Sequence, residues 1–534
     1  MAWNRTTAIR QPDLSKLRIF KFEGAPPMLG IRPTTHMKVC RMRNLASALA
    51  LALLFCAATA RADDLAFNHV TVVDVVEGKL LRDQVVRVAG GRIVEVAPAA
   101  GARIPKATRV VDATGKFLIP GLWDMHTHFF GRAPGCPEIT FSLAVAHGVT
   151  GGRDVAAQLD LSLAWRAEVE SGRTIGPRLF GTGPLVDGVP AVYPPISVVA
   201  RTPDDARAIV DSLTRRGADF VKAYEMLDRD AFFALVEQAK KSGLPVVGHV
   251  PLSVLAGVAS DAGVRSFEHL RNIELACSSD AEVLLAERTA MLKAGVGRVG
   301  AELRAEIHSA QRTRALDTYD PERCTALLRK FAANGTWQTP TLFLEIRQAR
   351  RVYLNESVRA TLHWVPDRYR AEWEAWAKRA SAATPQETAA FIRRADWLAQ
   401  LVRRMNEERV GLLAGTDFAT DWTVPGAALH EELYALVEAG LTPLEALRTA
   451  TLNPARYFGK TSEFGAVAPG MVADLVLIDG DPLADIRNAR RISGVMANGR
   501  YLDRATLDRM LASAEKLVRS GQHDLVHRPG QALR

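Results

Sequence analysis

The stretch Leu118-Ile-Pro-Gly-Leu-Trp-Asp-Met-His126-Thr-His128 decides how this 534-residue chain is read. An apolar, strand-like run from Phe117 to Met125 ends in a His-x-His pair, and residues two apart on an extended strand point the same way. Working outward, seven more segments share the strand texture: 149–155, 178–181, 220–224, 245–249, 266–269, 336–341 and 411–417. Amphipathic helical stretches separate them, for example 230–241, which is closed by Ser242-Gly243. Alternating strand and helix argues for a parallel sheet. Eight such units across 118–462 favour an α/β chain with a closed (β/α)8 TIM-like barrel over an open sheet. After the last strand, Thr442-Pro443-Leu444-Glu445 reads as a capping box with proline in the first helical position, opening a helix that stops before Asn453-Pro454.

Both flanks are β-rich. Residues 63–117 hold Val70-Thr-Val-Val-Asp74, Val85-Val-Arg-Val88 and Arg92-Ile-Val-Glu-Val96 between glycine turns, and 463–505 hold Asp474-Leu-Val-Leu-Ile-Asp479 and Val495-Met-Ala-Asn-Gly499-Arg-Tyr501. Together they predict a small composite β-sandwich built from both ends of the chain. The segments 277–335 and 345–408 are long, helical and arginine-rich, and read as solvated insertions over the barrel mouth. A polyanion-binding face is the alternative, disfavoured because acidic residues are interleaved throughout. A C-terminal helix and tail fill 506–534, where His523 and His527 read as solvated.

Composition (48% hydrophobic, 24% charged, 7% aromatic) is that of a globular protein and excludes disordered, collagen-like and disulfide-scaffold classes. The net charge of +9 suggests a nucleic-acid partner only until it is located. Residues 1–62 carry ten Lys and Arg against Asp13 and Glu23, so the remaining 472 residues net only +1. That leader reads as a signal peptide. Arg41-Met-Arg43 precedes an apolar run from Leu45 to Cys56, and Ala60-Arg-Ala62 is an A-x-A site predicting cleavage after Ala62. Met37 or Met42 fits a translation start better than Met1. The expectation is an exported, periplasmic or secreted protein with no stable membrane insertion and no nucleic-acid partner. Cys136, Cys277 and Cys324 remain after cleavage, show no C-x-x-C spacing, and read as buried or free thiols with at most one disulfide.

Six residues carry the chemistry. His126 and His128 follow the first barrel strand, Lys222 lies in the fourth, His249 and His269 end the fifth and sixth, and Asp417 ends the eighth. Parallel barrel strands open their C-terminal ends onto one face, so these side chains converge there. Imidazole and carboxylate donors suit zinc, with manganese, iron, cobalt or nickel also served. A lone strand histidine is ordinarily a core residue, but six such placements at one barrel mouth are not explained that way. His69, His147, His308, His363 and His430 lack such a placement and keep the ordinary reading.

With Gly415-Thr-Asp417, Leu452-Asn-Pro-Ala455 and Gly465-Ala-Val-Ala-Pro-Gly-Met-Val-Ala-Asp-Leu-Val-Leu477, the opening stretch resembles the amidohydrolase superfamily, and within it the exported imidazolonepropionase-like and prolidase-like members. The resemblance runs from about residue 65 to 503. It implies two divalent metals, most simply zinc, bridged by Lys222 carboxylated by CO2. One metal would take His126, His128, Lys222 and Asp417; the other would take Lys222, His249 and His269, with Glu225 a rival bridge ranked well behind. A shared water would be acidified from a pKa of about 15.7 towards 7. Asp417 would be general base and then acid, and Tyr224, two residues after Lys222, would hydrogen-bond the oxyanion or simply fill the barrel. Arg153, after the second strand, would anchor a substrate carboxylate or pair with Asp154 as scaffold. The implied activity is hydrolysis of an amide or peptide C–N bond in a small dipeptide, N-acyl amino acid or cyclic amide, by a chain that can be a homo-oligomer. The rivals are a lactone, carbamate or phosphotriester hydrolase, or an exported metal- or solute-binding protein without catalysis; Asp417 argues against the last, since a pure binder needs no general base.

Overall fold

The computed structural model describes residues 63–130, 136–521 and Pro529. The expected leader, the cleavage site, His523 and His527 lie outside the described residues. The chain is mixed α/β.

Its N-terminal strands are β1 (Leu65–Asp74), β2 (Lys79–Ala89), β3 (Arg92–Pro98), β4 (Arg109–Asp112) and β5 (Phe117–Pro120). The parallel strands follow: β6 (Leu122–Thr127), β7 (Val149–Asp154), β8 (Arg178–Gly181), β9 (Leu185–Asp187), β10 (Ser197–Val199), β11 (Val221–Ala223), β12 (Val246–Gly248), β13 (Ser266–Glu268) and β14 (Trp337–Thr339). The chain closes with β15 (Leu475–Ile478), β16 (Ile492–Ala497) and β17 (Arg500–Asp503). The two ends share one sheet, ordered β17-β16-β15-β5-β1-β2-β3 with β4 on β1. The expected partnership of both ends is therefore present, as one eight-stranded hydrogen-bonded sheet. The physical reason is that β5 offers both its edges, running parallel to β1 on one side and antiparallel to β15 on the other. Phe67, Val72, Val86, Leu118, Leu475, Leu477 and Met496 form its apolar core.

The parallel strands form a three-stranded sheet, β6-β7-β8, and a six-stranded sheet, β10-β9-β11-β12-β13-β14. Backbone bonds connect them at two seams. Asp219 N donates to Gly181 O at 2.9 Å beside β8. At the other seam, Leu413 N donates to Gln338 O, Met125 N to Ala414 O, and Asp417 N to His126 O. The expected eighth strand thus lies between β14 and β6, held by the isolated bridges Gln338↔Leu412 and Thr127↔Phe418. It forms no regular ladder, and at its end Asp417 turns into the left-handed region at φ 57°. The expected first strand is two elements, β5 and β6, belonging to different sheets.

Period-two alternation divides these strands between floor and site. Phe220, Val247 and Trp337 cluster with Trp123, Met125, Leu413 and Phe464. Two residues further along stand Lys222, His249 and Thr339. An apolar plug therefore lies under a ring of functional groups.

The segment 277–335 holds helices Ala281–Ala294, Gly300–Asp317 and Pro321–Asn334; the segment 345–408 holds Asp367–Ser381 and Pro385–Glu407. Thr384 caps the last through a reciprocal box with Glu387, and Thr442 does the same with Glu445. The helix after Thr442 ends at Thr449, and Asn453-Pro454 sits in the first turn of the next one, Leu452–Phe458. Cys277 and Cys324 form a disulfide, correcting the free-thiol expectation for that pair, while Cys136 is free and buried. No helix among the described residues is long and apolar enough to cross a membrane.

Candidate metal centre and active site

His126, His128, Lys222, Tyr224, His249, His269 and Asp417 all line one cavity of about 320 Å³. His128 Nε2 lies 2.7 Å and His126 Nε2 3.2 Å from Asp417 Oδ1, with His269 Nε2 4.0 Å from Oδ2. Donor atoms of His126, His269 and Asp417 fall within 4.8 Å of one another. The His249 ring centroid is 4.8 Å from that of His269. The sequence-predicted metal residues are thus brought together, all buried.

The second layer fixes the rings. His126 Nδ1 pairs with Glu268 Oε2, His249 Nδ1 with Glu225 Oε1 and His269 Nδ1 with Thr341 Oγ1, each at 2.7 Å. Committing Nδ1 leaves the Nε2 lone pair for a cation, as ligating histidines require. Burial lowers the proton affinity of His128, His249 (to about 3) and His269, which favours the neutral imidazole that can ligate a cation. Burial opposes ionisation of Asp417, but the facing His269 and His126 outweigh it and hold the carboxyl well below its usual range. Lys222 is 1% exposed and its Nζ has no hydrogen-bond partner. Burial pushes its pKa down to about 8, putting the neutral amine within reach.

Two of the candidate ligands occupy costly backbone positions: His269 at φ 63° and Asp417 at φ 57°, a strain of about 1–3 kcal/mol each, of a kind that clusters at functional sites. Gly415 lets its segment pack directly against His126 and Thr339. A Cβ there would lie 2.7 Å from His126 Cβ and 2.6 Å from Thr339 Cγ2.

Arg153 departs from the expectation. It is fully buried, absent from the cavity wall, and donates to Met125 O, Ser266 Oγ, Tyr457 Oη, Thr339 Oγ1 and both oxygens of Glu268. Its donors are spent on buried partners, so it holds Glu268, which in turn pairs with His126. Its ion-pair partner is Glu268 and not Asp154. Glu225 is likewise no bridge: its oxygens are taken by His249 and His308. Arginines at the cavity are instead Arg271, Arg304 and Arg347, alongside Tyr193, Tyr369, Glu372, Trp373 and Asp421. Sequence reasoning missed these, since they come from loops and from the helical insertions, where no motif marks them. Arg271, two residues beyond His269, is the one with a positional signal. The Tyr224 ring lies 4.2 Å from the His249 ring, and burial raises its hydroxyl well above the usual tyrosine pKa.

An amidohydrolase-family profile matches residues 399–502. Bottromycin amidohydrolase superposes with a TM-score of 0.65 at 26% identity, covering 89% of this chain and 94% of its own. The profile match and the full-length superposition together support an amidohydrolase-superfamily, prolidase-like chain. A putative prolidase from Bifidobacterium longum shares the fold, with a TM-score of 0.58 at 22% identity over 85% of this chain and 99% of its own. Among curated sequences, adenine deaminase of Methanothrix thermoacetophila is 36% identical over 93 residues, 17% of this chain. That match spans about 15% of the deaminase's length.

Proposed function

We propose that this amidohydrolase is an exported, binuclear metal-dependent enzyme that hydrolyses an amide or peptide C–N bond in a small carboxylate-bearing substrate: a dipeptide, N-acyl amino acid or cyclic amide. The observation that carries the reading is the orphaned Lys222 Nζ, buried among imidazoles and a carboxylate. A buried amine without a partner is costly, and carboxylation by CO2 would convert it into an anionic bridge. His126, His128 and Asp417 would then hold one ion and His249 and His269 the other, with Lys222 shared; zinc suits these donors best. Bound, such ions acidify water and polarise a carbonyl. The arrangement also favours reading the two parallel sheets as one closed (β/α)8 barrel, and the eight-stranded terminal sheet as a sandwich-like companion.

The chain's own groups divide the remaining work. Asp417 Oδ2, the oxygen not engaged by His126 and His128, takes a proton from the attacking water and returns it to the leaving nitrogen. Tyr224 keeps its proton at neutral pH and donates it as a hydrogen bond to the developing oxyanion, a contribution of a few kcal/mol. Arg271, Arg304 and Arg347 anchor the substrate carboxylate. The contacts of Arg304 with Tyr224, Glu225 and Tyr193 are all 3.4–3.5 Å, so a substrate anion can compete for it. The Cys277–Cys324 disulfide supports export to an oxidising compartment, with Asp63 as the mature N-terminus.

Metal content of tag-free protein tests the reading. About two ions per chain, with turnover of dipeptides or N-acyl amino acids that is lost when their carboxylate is amidated, is the expected result. One ion per chain would make Lys222 structural and the site mononuclear. A folded protein refusing metal would overturn the enzyme reading, and preferential turnover of lactones, carbamates or phosphotriesters would move the substrate class.

A further inference from the structure

Helix Gly300–Asp317 belongs to a helical insertion, yet it sends two side chains into the centre from one face, one turn apart. Arg304 lines the cavity. His308, buried at 4% exposure, places Nε2 2.7 Å from Glu225 Oε2. Glu225 is fully buried, and its other oxygen, Oε1, accepts the Nδ1 proton of His249 at 2.7 Å. Arg271 and Arg304 approach that same oxygen at 3.5 and 3.4 Å. A second route joins the insertion to the same strand end. Gln311, three residues beyond His308, accepts from Arg288 Nε; Arg288 Nη1 donates to Asn272, and Asn272 Nδ2 donates to the carbonyl of Val250, the neighbour of His249. The Cys277–Cys324 disulfide closes the base of this segment.

We propose that Glu225 and His308 are positioning residues for the His249 metal ligand, so that docking of the insertion helix sets the orientation of His249. The proposal rests on the metal-centre reading above. A carboxylate held at one oxygen only can rotate and let the imidazole tilt. Held at both, it fixes the His249 tautomer and ring plane, the service outer partners give metal-bound histidines. His126 gets this service from Glu268 and Arg153, both contributed by barrel strands. His249 gets it from outside the strand framework. The arrangement therefore couples the insertion that carries a substrate-facing arginine to one metal and not to the other.

The test is competitive titration of metal-free mature protein with Zn2+ against a chromophoric chelator, resolving two successive affinities, with thermal melting as the folding control. His308→Leu should weaken one of the two affinities by about 10- to 100-fold and leave the other within about threefold. His308→Gln, whose amide nitrogen can reach the Glu225 oxygen, should restore the lost affinity. Unchanged binding in His308→Leu, or equal losses in the Leu and Gln variants, would overturn the inference, because packing alone then explains the site. Should His308→Leu not fold, Glu225→Gln is read the same way: selective weakening of one ion supports the inference and wild-type affinity overturns it. Wild-type protein that binds no metal would sink the metal reading itself, and this inference with it.

Discussion

Replacing Arg153 with methionine separates two accounts of the same residue. As a substrate anchor, its loss would raise KM and leave stability alone. The geometry predicts the reverse. Arg153 is 0% exposed and makes six hydrogen bonds, two of them to Glu268, whose carboxylate is itself buried and pairs with His126. Methionine fills much of the volume but leaves the Glu268 charge uncompensated, and breaking a buried pair in this way costs about 3–5 kcal/mol. With an unfolding entropy of about 2.1 cal/mol/K per residue over roughly 450 described residues, near 0.95 kcal/mol/K in total, a loss of ~4 kcal/mol lowers Tm by about 4 °C. Calorimetry on wild type, Arg153→Met, Glu268→Gln and the double variant forms a cycle. The double variant should recover a good part of the loss, since no buried charge is then left alone, and the coupling should reach about 2 kcal/mol or more. Metal affinity should fall together with stability, because His126 loses its oriented partner. A melting temperature within 1 °C of wild type, combined with a raised KM for carboxylate substrates, would refute the reasoning and return Arg153 to the substrate.

Further expectations follow from the same geometry. Asp417→Asn should keep the fold and most of the metal but lose at least about 10²-fold in kcat, as removal of a general base does; near wild-type turnover would refute that role. Lys222→Ala should lose one metal by elemental analysis, and partial rescue by short-chain carboxylates would support a carboxylated bridge. Gly415→Ala presses a methyl group against His126 and Thr339, so unfolding should show a loss of about 1–3 kcal/mol together with weakened metal binding. His430, 6% exposed, is held down to about 3, first by burial and then by His147. Its folded pKa lies below the unfolded value near 6.5, so the unfolded chain takes up the proton first and stability falls as pH drops from about 6.5 towards 3, by up to about 1.4 kcal/mol per pH unit from this one group. His430→Gln should flatten the acid limb of a stability–pH curve by about one proton.

The candidate metal ligands were legible because each sits at a fixed offset from an apolar strand. His126, His249 and His269 end runs of buried residues, and period-two alternation carries them to the same side as Lys222. The irregular eighth segment was legible from Gly415-Thr-Asp417, although neither its lack of a ladder nor the left-handed turn at Asp417 was. His308 was set aside because helical spacing gives no hint of which helix face meets a strand end. Arg153 was left open between substrate anchor and scaffold, and its scaffold partner was named as Asp154 rather than Glu268, for a related reason. A strand-end arginine points to one face of a sheet, but whether its fork finds solvent or a buried carboxylate depends on a residue 115 positions away.

What the sequence determined by itself is periodic and local: alternating strands and helices, the capping box at Thr442, and the convergence of His126, His128, Lys222, His249, His269 and Asp417 on one cavity. The convergence follows from the two backbone periods, written residue by residue, while a ligand role for Lys222 came only from the family resemblance. Tertiary structure alone decided which charges are spent inside and which face the cavity. Arg153 went to Glu268, Glu225 to His249 and His308, and the wall of the pocket to Arg271, Arg304 and Arg347. The physical reason is that a buried charge must find its partner in space, and its partner in space is not its neighbour in sequence.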